Sequence, residues 1–141
     1  MKKKVLFVCI HNSARSQMAE ELLRKLANEH FDVESAGLEP GTLNPIVVEV
    51  LREEGINIEG KKTQAVQDLL KAGKTYDYVI AVCDGANAKR CPVFPGIKEQ
   101  LHWHFTDPST FQGSDAEKLI RVRVVKEEIK HKLQQWLLLF S

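Results

Sequence analysis

Two rhythms of apolar residues alternate along the chain. Val5 to Cys9 is a continuous apolar run, as expected of a strand buried on both faces. Met18, Ala19, Leu22, Leu23 and Leu26 then recur at the spacing of a single helix stripe. Phe31 to Ala36 predicts a second strand, closed by Gly37, and LEPGTLNP reads as loop. Asn44 is placed to cap a helix with Pro45 at its first position, with Val47, Val48 and Leu51 inward and Gly55 as its stop. Thr63 is expected to cap a short helix bearing Val66, Leu69 and Leu70 that ends near Gly73. YDYVIAVC predicts a third strand, which ends on Cys83 as the first ends on Cys9. DGANAKRCPVFPG reads as a loop, and EQLHWHF as a fourth strand running into TDPS. Ser114 and Glu117 form a capping-box pattern before the last helix, whose stripe is Val122, Val125, Ile129, Leu133 and Trp136.

Strands alternating with helices predict an α/β fold built from parallel β-α-β units with right-handed crossovers. No repeat or linker divides the 141 residues, so a single domain over 1–141 is expected. Ligands of such sheets sit beyond the carboxyl ends of the strands. Cys9, Cys83 and the Asp107 segment all fall at such ends.

A hydrophobic content of 43% with 28% charged residues is that of a globular chain. A net charge of +1 provides no field to recruit nucleic acid or membrane. The lysines at 2–4 read as a solvated lead-in to the first strand. The apolar run behind them is too short, and too soon followed by His11, Asn12 and Arg15, for a signal peptide. WLLLF near the C-terminus is too short to span a bilayer and reads as a helix end packed on the sheet. A cytoplasmic monomer is expected. Three cysteines, Cys9, Cys83 and Cys91, argue against a disulfide framework in such a chain. They leave buried thiols, a metal site, or redox and nucleophilic chemistry.

The chemistry concentrates at VCIHNSARS. Five residues separate Cys9 from Arg15, and the segment joins a strand to a capped amphipathic helix. A loop of this length, Ile10, His11, Asn12, Ser13, Ala14 and Arg15, can wrap its N–H groups around a tetrahedral oxyanion. The helix start adds partial positive charge, and Arg15 can fork two donors onto the anion. The same field favours a nucleophilic thiolate at Cys9, which the Ser16 hydroxyl can steady. The alternative is a buried core thiol beside a surface arginine.

VCIHNSARSQMAE resembles the phosphate-binding loop of the low-molecular-weight protein tyrosine phosphatases and of the thioredoxin-coupled arsenate reductases, which share a fold. The resemblance runs from Val5 to about Trp136. It implies a four-stranded parallel sheet with helices on both faces, and it places a general acid at Asp107, which Pro108 stiffens. Many of the phosphatases carry an aromatic residue after that dipeptide, where Ser109 stands here, and a second cysteine before the loop arginine, where Ala14 stands.

Cys83 and Cys91 lie eight positions apart around a segment with Gly85, Ala86 and Ala88. They can be ordinary buried cysteines, zinc ligands with His102 and His104, or partners in thiol–disulfide exchange, with Lys89 and Arg90 expected to favour a thiolate at Cys91. The resemblance to the reductases implies the last. Cys9 attacks arsenate, Asp107 protonates the departing hydroxide, and a Cys9–Cys83–Cys91 disulfide relay releases arsenite and is re-reduced by thioredoxin. The alternatives are phosphomonoester hydrolysis through a phosphocysteine at Cys9, and a non-catalytic anion-binding module. No cofactor is expected. Some of these reductases bind potassium beside the loop, and Asn12, Glu20 and Ser35 occupy positions of that site. The acidic residue expected after KKT is absent, since Gln64 and Ala65 stand there, and no metal is expected.

Overall fold

The computed structural model describes residues 2–83 and 85–140. Four parallel strands form one sheet: β1 (Lys3–Cys9), β2 (Phe31–Gly37), β3 (Tyr78–Ala81) and β4 (Glu99–His102), in the order β2-β1-β3-β4. The helices are α1 (Arg15–Ala27), α2 (Pro45–Glu53), α3 (Val66–Lys71), the single turn α4 (Gly85–Ala88) and α5 (Asp115–Leu137). The continuous apolar run of β1 is explained by its central place. Val5 and Phe7 pack with α1, α2 and α5 on one face, while Leu6 and Val8 pack with Val66, Leu69 and Phe94 on the other. Each such side chain, fully withdrawn from water, contributes about 1.5–3 kcal/mol.

Several local expectations agree with the structure. Asn44 accepts from the N–H groups of Ile46 and Val47, with Pro45 opening α2, and Gly55 follows in the left-handed region at φ 79°. Ser114 and Glu117 close a reciprocal capping box on α5, and its five-residue stripe is buried.

Others are corrected. Val50, with Val47 and Leu51, fills the buried face of α2, and Val48 is half-buried. Leu26, at the end of the α1 stripe, is 37% exposed. Ala65, not Thr63, precedes α3; the Thr63 hydroxyl donates instead to the Gly41 carbonyl at 2.6 Å. β3 is shorter than its apolar run, because the chain bends at Cys83. β4 likewise stops at His102, although the Trp103 N–H still reaches the Ala81 carbonyl at 2.8 Å. A helical turn, α4, interrupts the loop expected from Asp84 to Gly96; Asp84 itself lies outside the described residues. In WLLLF, Trp136 is buried and Phe140 packs on Phe31, Tyr78 and Trp136, but Leu138 and Leu139 are 72% and 77% exposed. Among the described residues no helix is long and apolar enough to cross a membrane.

One carboxylate ties three helices together. Glu54, just past α2, lies 3.0 Å from Lys126 and 3.3 Å from Lys130 on α5, and 3.4 Å from Lys25 on α1. The hydrogen bond and charge of Lys126, reinforced by Lys130, hold its carboxyl down from 4.5 to about 2. A carboxylate depressed on folding stabilises the fold above its unfolded value, and that contribution is lost as pH falls through the folded one. Stability measured by denaturant titration is therefore expected to decline as pH falls from 4.5 to about 2. Glu54→Gln should decline less steeply, and equal slopes would refute the assignment.

Candidate active site

The residues between β1 and α1 form a loop whose carbonyls are all engaged. The Cys9, Ile10, His11 and Ser13 oxygens accept from the N–H groups of Leu38, Glu39, Gly41 and Asn44, at 2.7–3.0 Å. The Asn12 oxygen accepts from Gln17 Nε2 at 3.0 Å, and that of Ala14 from the Met18 N–H at 2.9 Å. In a trans peptide the C=O of one residue and the N–H of the next point opposite ways. The N–H groups of Ile10, His11, Asn12 and Ala14 thus turn away from the 38–44 segment. The Asn12 N–H meets Cys9 Sγ at 3.2 Å. α1 begins at Arg15 behind Ala14, which supplies no side-chain cap. The cap expected from the sequence is absent, and the free N–H groups of the first turn are a ready partner for an anion.

Asn12 holds the loop's shape. It is in the left-handed region at φ 55°, a conformation asparagine tolerates better than most residues. Its side-chain amide is fully used. Nδ2 donates to Ser16 Oγ at 2.8 Å and Ser35 Oγ at 2.9 Å; Oδ1 accepts from Gln17 Nε2 at 3.1 Å and the Gln64 N–H at 3.0 Å. Ser16 Oγ, accepting from Asn12, sits 2.8 Å from Cys9 Sγ, and its proton is available to a thiolate there.

Arg15 lies along the same site, its side chain only 5% exposed. Nη1 donates to the Phe105 carbonyl at 3.3 Å, and Nη2 is 3.4 Å from Asp107 Oδ2. Asp107 Oδ1 accepts from the Ser109 N–H at 2.9 Å, opening a short 3-10 turn over Pro108–Thr110. Cys9, Arg15, Ser16 and Asp107 are thus gathered at one end of the sheet, although Asp107 is distant in sequence.

Cys83 joins them in part. The Val82 N–H bonds the Val8 carbonyl at 2.8 Å, so Cys83 follows just past the end of β3, and it belongs to the same buried cluster as Cys9. Cys91 does not join them. It packs with Leu6, Val8, Val79 and Phe94 on the opposite face of the sheet. Burial, with a smaller contribution from Cys83, pushes its thiol up to about 11. The expected help from Lys89 and Arg90 fails because the Arg90 guanidinium turns to Glu39, at 2.6 Å, and to Asn87. The three cysteines stand as thiols. His102 Nε2 is engaged with the Cys83 carbonyl at 2.5 Å and His104 is exposed. Among the described residues no cluster of His, Cys, Asp and Glu suits a metal ion.

Gly37 is a site residue that the pattern marked only as a strand end. It pairs with Cys9 in the sheet register, and a Cβ there would stand 2.8 Å from the Asn12 nitrogen and 2.8 Å from the Ile10 oxygen. Gln17 was also missed, and Gln64 was marked only for the acid it replaces. Gln17 bonds Asn12 through its side chain and Gln64 through its backbone N–H, and neither leaves a mark on the apolar rhythm.

Residues 4–139 match the family described as low molecular weight phosphotyrosine protein phosphatase. An arsenate reductase of Halalkalibacterium halodurans is 39% identical over 134 residues, 94% of each chain. A solved arsenate reductase in its oxidized state covers 99% of both chains with a TM-score of 0.79 at 29% identity. The thioredoxin-dependent arsenate reductase of Corynebacterium glutamicum gives 0.63 at 31% identity, over 95% of this chain and 63% of that one.

Two outcomes are expected from this geometry. Gly37→Ala should cost about 1–3 kcal/mol of stability, because the methyl meets backbone rather than a movable side chain, and calorimetry should show weakened phosphate binding. Iodoacetamide should modify Cys91 slowly at neutral pH and faster as pH approaches about 11, read by peptide mass spectrometry. Rapid labelling at neutral pH would contradict the buried thiol.

Proposed function

Because the chain belongs to the low molecular weight phosphotyrosine protein phosphatase family, with curated arsenate reductases among its relatives, we propose that it reduces arsenate to arsenite. The observation that carries this reading is Cys83, which follows just past the end of β3 and shares a buried cluster with Cys9. Hydrolysis of a phosphate ester needs only Cys9, Arg15 and Asp107. A second thiol within the same cluster is what reduction adds.

The loop N–H groups and Arg15 hold the oxyanion, and Cys9 Sγ attacks the arsenic. One arsenate oxygen departs as water, taking its proton from Asp107. Cys83 then attacks the Cys9 sulfur. The sulfur–arsenic bond breaks with its electron pair left on arsenic, so arsenic(V) becomes arsenic(III) and a Cys9–Cys83 disulfide forms. Cys91 next attacks Cys83, which frees Cys9 as thiolate and moves the disulfide to Cys83–Cys91. An external dithiol reduces it; thioredoxin is the proposed donor, in line with the thioredoxin-dependent relative from Corynebacterium glutamicum.

The resting structure adds a condition. Cys91 is packed with Phe94 and Val79 and already feels Cys83, so its buried thiol must be ionised before it can attack. The segment that carries it contains the one-turn helix α4 and few buried side chains, so it can open without disturbing the sheet. Arsenate and phosphate share shape and charge, so weak phosphatase activity through Cys9 is part of the same proposal. Ser109, where many phosphatases have an aromatic residue, leaves a phenyl ring without that wall.

Arsenate-dependent NADPH consumption, coupled through thioredoxin and thioredoxin reductase, is the test. Cys9→Ser, Cys83→Ser and Cys91→Ser are each expected to abolish it, and Asp107→Asn to lower it by about 10²–10⁴-fold. Hydrolysis of p-nitrophenyl phosphate should survive in Cys83→Ser and Cys91→Ser. Full reductive turnover in both of those variants would remove the relay.

A further inference from the structure

The oxygens that would hold a monovalent cation beside the loop are already taken by donors. Asn12 Oδ1 accepts from Gln17 and Gln64, and the Ser35 carbonyl accepts from Gln64 Nε2 at 2.8 Å. Ser35 Oγ donates to Glu20 Oε1 at 2.6 Å while accepting from Asn12. Glu20 Oε1 also receives the Lys61 ammonium at 2.8 Å, and Oε2 the Arg24 guanidinium at 2.6 Å. Gln64 brings an amide where the resemblance calls for an acid. This set of residues does not fit a potassium ion.

We propose that Lys61 is a built-in counter-ion of the oxyanion loop, occupying at Glu20 the place of the soluble cation. This rests on the reading of residues 9–16 as an oxyanion site. The argument is one of charge. Glu20 is 4% exposed and lies two hydrogen bonds from the loop, through Ser35 to Asn12. An unneutralised carboxylate there would repel an incoming oxyanion across low-dielectric protein. Glu20 and its neighbour Glu21 carry two negative charges, and Lys61 and Arg24, each bonded to both, carry two positive ones. Removing Lys61 leaves one negative charge beneath the loop and opens one acceptor position on Glu20 Oε1, beside its bond from Ser35, with which an external cation can pair. Lys61 is thus a positioning residue. It acts on the anion through Glu20, Ser35 and Asn12 and touches no reacting atom.

The test is equilibrium binding of inorganic phosphate, by calorimetry, in potassium and in tetramethylammonium salts of equal ionic strength. Thermal unfolding in the same two salts repeats the comparison without an anion. The wild type is expected to behave alike in both. Lys61→Gln should bind phosphate about fivefold more weakly in tetramethylammonium, equivalent to about 1 kcal/mol, and potassium should restore affinity and melting temperature. Lys61→Arg should match the wild type. The proposal is overturned if potassium tightens phosphate binding or raises the melting temperature of the wild type. It is also overturned if Lys61→Gln is unchanged, or is weakened equally in both salts. No arsenate turnover enters these readouts, so a failed relay would leave the result standing.

Discussion

The site depends on one constraint: every carbonyl from Cys9 to Ala14 is drawn away from the space the loop encloses. The 38–44 segment accounts for four of these bonds, Gln17 for one and the first turn of α1 for another. Peptide geometry does the rest, since a fixed carbonyl fixes the following N–H. Arg15 is the side-chain cation that lines the loop itself, and Lys61 acts only by neutralising Glu20 behind it. The backbone supplies the dipoles, and neighbouring elements keep them from turning.

Asn12 is where these restraints converge. Its amide has two donors and two acceptor positions, and all four are engaged, by partners from α1, β2 and the stretch before α3. Positive φ gives the loop its sharp turn, and the four bonds hold that conformation against relaxation. Gly37 complements this from outside, letting β2 approach within the space a side chain would fill. Loop, sheet edge and helix start therefore behave as a single rigid piece, on which Cys9 and Ser16 are held at a fixed separation.

Much of this was legible in the chain. The β1 run and its abrupt change into VCIHNSARS reveal strand, loop and helix because each imposes a different local pattern. Caps such as Asn44 and Ser114 are equally local. What stayed hidden depends on contacts between distant segments. Lys61 on Glu20 and Gln64 on Asn12 leave no periodic trace. Cys91 was misjudged because its neighbours in sequence, Lys89 and Arg90, suggested a charged setting, whereas Phe94 and the sheet decide its environment. The end of β3 was overextended because apolar residues continue past the last ladder pair, as burial does not require a strand.

The burial of Cys91 on the face of the sheet opposite Cys9 has a consequence for the protein at rest. Under the proposed relay, Cys9 and Cys83 share one buried cluster before substrate arrives, and the last sulfur packs with Phe94 on the opposite face. A thiol so buried, and pushed up to about 11, is a poor nucleophile at neutral pH. Restraint of that one sulfur needs no inhibitor or modification, because it follows from which side of the sheet a single side chain occupies.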